Sequence, residues 1–468
     1  MLADRLAGYS NSLSYMRLAP EVVHEVKRRV LDSLGCAIGA WNAAPCRIAR
    51  RLAQSAKVKN GATIMGTSHK TLPDLATFAN GALIRYLDFN DTYLSKEPAH
   101  PSDNLAAILA IGETVGACGK QVIEATVLAY EIQCRLCDVA ALRPRGWDHV
   151  TYGPFSSALA VAKLLGLSKA RTVQAVNLAG VANIALRQTR VGDLSMWKAC
   201  AFSNAGRNGV FAALLAQYGM IGPSPIFEGA KGFIQLVSGP LDLPKLGGES
   251  TNKSRLRQRM IPFKILDTYI KPRPVEYHAQ TAIEATLKIR DEVLKTEGPR
   301  GLVEIAEVEI GSYGIAIEII GRDPEKWHPE TRETADHSFP YCVAIALLDG
   351  AVTLRSFESK RLRDPHVKEL IHKTHVVEVD DFTDRYPQSM PTRVTVRTSS
   401  GMEYVKQVDC PLGHPKSPMA DYQLEDKFLR LAARKLGSVQ AGKVIDFVWK
   451  FETINDVGAL MPLLRVEK

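Results

Sequence analysis

The sequence predicts a mainly α protein, a large all-helical domain interrupted by a smaller α+β domain, and three observations carry that reading. Apolar residues recur at helical spacing through the first part of the chain. Near Ile261 the texture changes to short runs in which β-branched residues alternate. From Leu424 onward the pattern is helical again, with Phe428, Leu429, Leu431, Ala432 and Leu436. The expected division is a helical domain over 1–268, an α+β domain over 269–412, and C-terminal helices over 413–468 that return to the first domain.

Pro20 opens the first long helix, along which Val22, Val23, Val26, Val30, Leu31, Leu34 and Ile38 recur before Gly39. Asp74 to Tyr86 carries another apolar face. Ser102 and Asp103 offer an N-cap and an acidic first turn to a helix through Leu105, Ile108, Leu109 and Ile111. Further helices are expected over Gln121–Ala141, Pro154–Leu165 and Ser168–Ala182. Ala199 to Tyr218 is rich in alanine and glycine, which permits close helix approach, and no heptad persists long enough for a coiled coil. Val303, Ile305, Val308 and Ile310 read as a strand with a bulge, and Val376, Val377 and Val379 as a second. Arg393–Arg397 and Tyr404–Val408 flank Ser400-Gly401 as a hairpin. Helical segments over His278–Lys295 and Thr334–Leu348 interleave with these strands.

Composition narrows the class. Of 468 residues, 46% are hydrophobic and 23% charged, and the 34 glycines and 25 prolines are ordinary usage, so collagen-like, low-complexity and wholly disordered readings fail. No apolar run approaches the roughly 20 residues that span a bilayer. Met1-Leu2-Ala3-Asp4-Arg5 lacks the apolar stretch of a signal peptide, so a cytoplasmic protein with reduced cysteines is expected. The net charge of +9 comes without a basic run or recognised module, so neither nucleic acid nor membrane is an expected partner. Cys134 and Cys137 have the spacing of a cluster or redox pair. They equally share one face of a helix, and no third ligand adjoins them, which favours core packing.

Four polar segments could carry chemistry. Asp88-Phe89-Asn90-Asp91-Thr92-Tyr93 and His100-Pro101-Ser102-Asp103-Asn104 bring carboxylates, hydroxyls and an imidazole close together in a loop between helices. Helix capping would explain much of the same pattern. Gly146 to Gly153 holds His149 before an apolar helix, where capping is again the alternative. Arg187-Gln188-Thr189-Arg190 through Trp197-Lys198 suits carboxylates, because arginine presents a bidentate fork, or it is a solvated loop. Lys271-Pro272-Arg273-Pro274-Val275-Glu276-Tyr277-His278 is either a site segment or a proline-stiffened hinge.

Arg85 to Tyr93 followed by His100 to Asn104 resembles the signature of the MmgE/PrpD family, in the wording of its 2-methylcitrate dehydratases. Asp148-His149-Val150, Pro274 to Ala282 and Pro411-Leu412-Gly413-His414-Pro415 fit the same family in the same order, and the correspondence runs from about Leu13 to Phe451. The resemblance implies a metal-independent, cofactor-free lyase with a helical body, an α+β lid and a homodimeric assembly, acting on a small polycarboxylate. It matches Asp88, Thr92, His100 and His149 to pocket residues, and Lys271 and His278 to the stretch entering the lid. Lys198 corresponds to a family lysine and Tyr341 to the lid tyrosine in a looser register. Pro98-Ala99 and the stretch Arg190 to Trp197 depart from the dehydratase wording, which leaves substrate choice open.

Dehydration of a citrate-type substrate needs a base beside a carboxylate, an acid for the departing hydroxide, and cations for the developing charge. The expected roles are His149 or Asp88 as base and His100 as acid, with Lys271, Lys198 and Arg187 holding carboxylates. Decarboxylation of cis-aconitate, epimerisation of a related dicarboxylate, and an inactive helical binding protein are the alternatives. Hinges are expected near Ile270 and Pro411.

Overall fold

In the computed structural model, which describes residues 1–250 and 260–466, helix accounts for 59% and strand for 9%, so the fold is mainly α with a smaller α+β region. The chain divides into two units. One comprises Met1–Arg190, Met196–Ile270 and Ala420–Lys468; the other comprises Val191–Ser195 and Lys271–Met419.

Among the described residues, the first unit contains nine longer helices before Ile270: α1 (Leu2–Ser12), α2 (Pro20–Gly39), α3 (Ala44–Ala53), α4 (Pro73–Tyr86), α5 (Leu105–Val115), α6 (Gly119–Val139), α7 (Gly153–Leu164), α8 (Lys169–Val181) and α9 (Trp197–Gln217). Pro20 sits in the first turn of α2, where its missing N–H costs nothing, and Ser168 caps α8 by accepting from Arg171 N–H. Helix α9 packs against α4, α7 and α8. Small residues make this possible: a Cβ on Gly81 would meet Ser203 Oγ at 2.8 Å, and one on Gly209 would meet Ser157 Cβ at 2.6 Å. The C-terminal helix Asp421–Leu436 lies along α2, with Phe428 buried there.

Two expectations change. Ser102 is no N-cap: Pro101–Asn104 forms a 3₁₀ turn ahead of α5, and Ser102 turns its polar groups to Asn90 and Asp91. The segment Thr334–Leu348 is not continuous. It breaks into Arg332–Ala335 and Phe339–Asp349, because Pro340 removes an N–H and must sit in a first turn, which Ser338 caps.

The second unit carries a four-stranded sheet. A two-stranded pair, β1 (Ala62–Thr63) and β2 (Lys70–Thr71), belongs to the first unit. The larger sheet contains β3 (Ile305–Ser312), β4 (Thr374–Glu378), β5 (Thr392–Thr398) and β6 (Glu403–Val408), in the order β4-β3-β5-β6. Strand β4 runs parallel to β3; the other pairs are antiparallel, and the expected bulge is a register shift between Ile305 and Glu307. Helix Ala279–Thr296 covers β5 and β6. Among the described residues, no helix is long and apolar enough to cross a membrane.

The α7–α9 contact yields a paired test. Gly209→Ala should destabilise the protein by roughly 1–3 kcal/mol through overpacking. Gly206→Ala, whose Cβ would find its nearest neighbour at 3.5 Å, should be neutral or stabilising. Thermal melts of the two variants check the difference.

Candidate active site

The loop between α4 and α5 is held by buried polar groups rather than by apolar packing. Asp91 Oδ1 accepts from Ser102 N–H at 3.0 Å and its Oδ2 from the Tyr130 hydroxyl at 2.7 Å, with Arg29 Nε 3.7 Å away. Asn90 Nδ2 donates to Ser102 Oγ and Asp103 Oδ1, at 2.9 and 2.8 Å. Asn104 ties the loop to α6 and α7, donating to Gln133 Oε1 and accepting from Ser156 and Ser157. The returning C-terminal helix contributes Lys427, whose Nζ donates to Phe89 O at 2.7 Å and lies 2.5 Å from Asp32 Oδ1. These pairings offset much of the desolvation cost, while Asn90 Oδ1 and Gln133 Nε2 make no hydrogen bond among the described residues.

Within that frame Asp88 adopts a left-handed backbone, φ 49°, the sole non-glycine to do so among the described residues. Aspartate tolerates this region better than most side chains, yet the conformation is costly and needs support. Support comes from two cations: Arg85 Nη1 lies 2.9 Å from Asp88 Oδ1, and Lys198 Nζ lies 3.2 Å from Oδ2. Arg85 also reaches His100 Nε2 at 2.9 Å. His100 Nδ1 lies 2.7 Å from Asp91 O and 3.2 Å from Thr92 Oγ1. A carbonyl oxygen only accepts, so Nδ1 carries the proton and Nε2 accepts from Arg85. Burial pushes the pKa of Asp103 up to about 7, with Arg85 opposing and Asp91 adding to the rise.

His149 stands edge-on to His100, with ring centroids 5.9 Å apart. Its segment is fixed by pairing to the stretch before Arg187: Asp148 N–H donates to Ala185 O and Arg187 N–H to Gly146 O. Asp148 Oδ1 lies 2.8 Å from His149 Nδ1, and Arg190 Nε lies 3.1 Å from Asp148 Oδ2. Burial works against the Asp148 carboxylate, but Arg190 and His149 outweigh it and hold its pKa well below the ordinary range. Burial also holds the His149 imidazole below its ordinary range, against the pull of Asp148. The ring presents Nδ1 to Asp148, although neither Nδ1 nor Asp148 Oδ1 completes a hydrogen bond among the described residues. Its Nε2 makes no hydrogen bond among the described residues. A buried, oriented, unprotonated nitrogen is the equipment of a general base.

The family's two domain models match this chain: the MmgE/PrpD N-terminal domain over residues 4–245 and the MmgE/PrpD C-terminal domain over 274–453. The chain belongs to the MmgE/PrpD family. Among its relatives, 2-methylcitrate dehydratase of Escherichia coli (strain K12) is 30% identical, covering 89% of this chain and 87% of that protein. The 2-methylcitrate dehydratase of Cupriavidus necator is 31% identical over 83% and 81% of the two chains. Cis-aconitate decarboxylase of Mus musculus is 25% identical over 99% and 93%. This MmgE/PrpD chain is accordingly an enzyme of the lyase class, similar to 2-methylcitrate dehydratase.

Of the residues singled out in the sequence, Asp88, Thr92, His100, His149 and Lys198 come together in the helical unit. Arg187 stands near them, half-buried, its guanidinium pKa lowered by burial although Asp148 opposes the shift. Lys271 and His278 are buried in the other unit. There His278 Nδ1 hydrogen-bonds the Tyr313 hydroxyl, and Tyr313 stacks on Tyr386 with centroids 5.1 Å apart. Tyr341 does not join that group; its hydroxyl donates to Ser356 O and its ring packs near Phe357. Arg85, Asp103, Asp148 and Tyr313 were not singled out. Three of them sit inside or beside the motifs, but only spatial pairing reveals what they touch. Cys134 and Cys137 are buried in α6, and burial pushes both thiols well above their ordinary range.

The Asp148–His149 pair sets a pH test. Asp148 raises the His149 pKa, so Asp148→Asn should move the acid limb of kcat/KM to lower pH. It should also lower the plateau by roughly 10²–10⁴-fold as Nδ1–H loses its anchor. A pH–rate profile of the folded variant checks both.

Proposed function

We propose that the protein is a metal-independent hydro-lyase that dehydrates 2-methylcitrate, or citrate, to 2-methyl-cis-aconitate, or cis-aconitate. The observation that carries this reading is His149, a buried imidazole whose pKa burial lowers, with Nδ1 2.8 Å from Asp148 Oδ1 and Nε2 without a hydrogen bond among the described residues. His149 takes the proton next to a substrate carboxylate. Asp88 is the weaker choice for base, because Arg85 and Lys198 already claim both its oxygens. Arg187, Lys198 and Lys271 hold carboxylates, and Thr92 and His278 complete the substrate contacts. His100 serves as the acid: its Nε2, which accepts from Arg85 in this arrangement, must give up that contact and take a proton from solvent before it can protonate the departing hydroxide. In the same reading the enzyme is a cytoplasmic homodimer without a cofactor.

The names of the dehydratase relatives support this substrate class. The decarboxylase relative, matched over nearly the whole chain, makes cis-aconitate decarboxylation the second reading. Purified protein should be incubated with 2-methylcitrate, citrate and cis-aconitate, and products identified by mass and NMR. Loss of water from a tricarboxylate, retained after dialysis against a chelator, is the expected result. Carbon dioxide release from cis-aconitate would favour the second reading. His149→Gln should lower kcat by roughly 10²–10⁴-fold without unfolding the protein; unchanged turnover would refute its role as base.

A further inference from the structure

The second unit holds a cavity of about 610 Å³ whose lining shares only Tyr341 with the residues singled out in the sequence. Its lining combines polar groups with the apolar side chains of Trp327, Pro329, Leu362 and Ile371. Trp327 is fixed there by its indole N–H, which donates to Gly321 O at 2.8 Å, and Leu362 and Ile371 are buried against it. The rim is basic: His328, Arg363, Lys368 and His372 line it, and all four are exposed. Lys368 and His372 stand one turn apart on the helix Pro365–His372, and the His328 and His372 rings lie 5.8 Å apart.

What separates these groups from ordinary surface charge is their lack of partners. Nearby Arg361 pairs with Asp349 and Asp364, and Lys373 pairs with Glu369. None of His328, Arg363, Lys368 and His372 makes an ion pair or a side-chain hydrogen bond among the described residues. A single carboxylate, Glu330, lines the cavity against two permanent cations.

We propose that this cavity binds a small molecule bearing phosphate or carboxylate oxygens on a flat apolar body. The volume falls within the range of small-molecule sites. The arginine fork and the lysine supply charge-assisted donors for the oxygens, and the indole and aliphatic side chains take the body.

Hydrogen exchange read by mass spectrometry on the full chain tests this with three separate probes: ADP, inorganic pyrophosphate and tricarballylate. ADP or tricarballylate should slow exchange across 326–331 and 362–373, and which one does so tells phosphate from carboxylate. Pyrophosphate, a head group alone, should bind more weakly than ADP. Combined Arg363→Ala and Lys368→Ala should weaken binding by about tenfold or more, both side chains being exposed and the fold therefore kept. Glu330→Gln should tighten it. The proposal falls if no probe protects these segments at millimolar concentration, or if protection is unchanged in the double variant.

Discussion

The guanidinium of Arg85 is the contact on which the site depends. It is buried, and it faces Asp88, Asp103 and the imidazole of His100. Carboxylates taken out of water need a cation or several donors nearby, or they give up their charge. Arg85 meets that need for Asp88 at 2.9 Å, whereas Asp103, with Arg85 Nε 3.9 Å away, is pushed up to about 7. One cation thus faces two neighbouring acids at different distances. It also claims the Nε2 lone pair of His100 and so orients the ring beside His149.

The helices exist, in functional terms, to keep that arrangement still. Asp91 and Asn104 staple the loop to α6 and α7, and Lys427 of the C-terminal helix holds the Phe89 carbonyl. The strained backbone at Asp88 persists because its side chain is fixed at both oxygens. The close α4–α9 approach permitted by Gly81 brings the start of α9, and with it Lys198, to Asp88. Packing of small residues and placement of a buried cation beside Asp88 are therefore one design problem in this fold.

Local signals in the sequence were strong wherever chemistry acts between neighbours along the chain. Pro20 marked a helix start, Ser168 a cap, the break after Ile305 a bulge, and Ser400-Gly401 a hairpin. Proline at position 340 split a segment that apolar periodicity made continuous. The motif loop was legible as a site because its polar residues cluster, but their division of labour was not. Ser102 looks like a cap until Asn90 and Asp91 are seen to claim it. Tyr341 and Tyr313 are indistinguishable as tyrosines in sequence, and only the hydrogen bond to His278 separates them. Arg85 and Asp148 stand inside the quoted motifs, yet the sequence does not show that Arg85 meets His100 and Asp103 or that Asp148 meets Arg190.

The proposed role of His149 as base requires a neutral ring protonated at Nδ1, toward Asp148, with Nε2 left to accept a proton; burial favours the neutral ring and the 2.8 Å approach of Asp148 Oδ1 favours that tautomer. Nitrogen-15 NMR of the histidine-labelled protein at neutral pH, with the resonance assigned by its loss in His149→Gln, reads that state directly. The account predicts a protonated Nδ1 and an unprotonated Nε2. An imidazolium, or a ring protonated at Nε2, would contradict it.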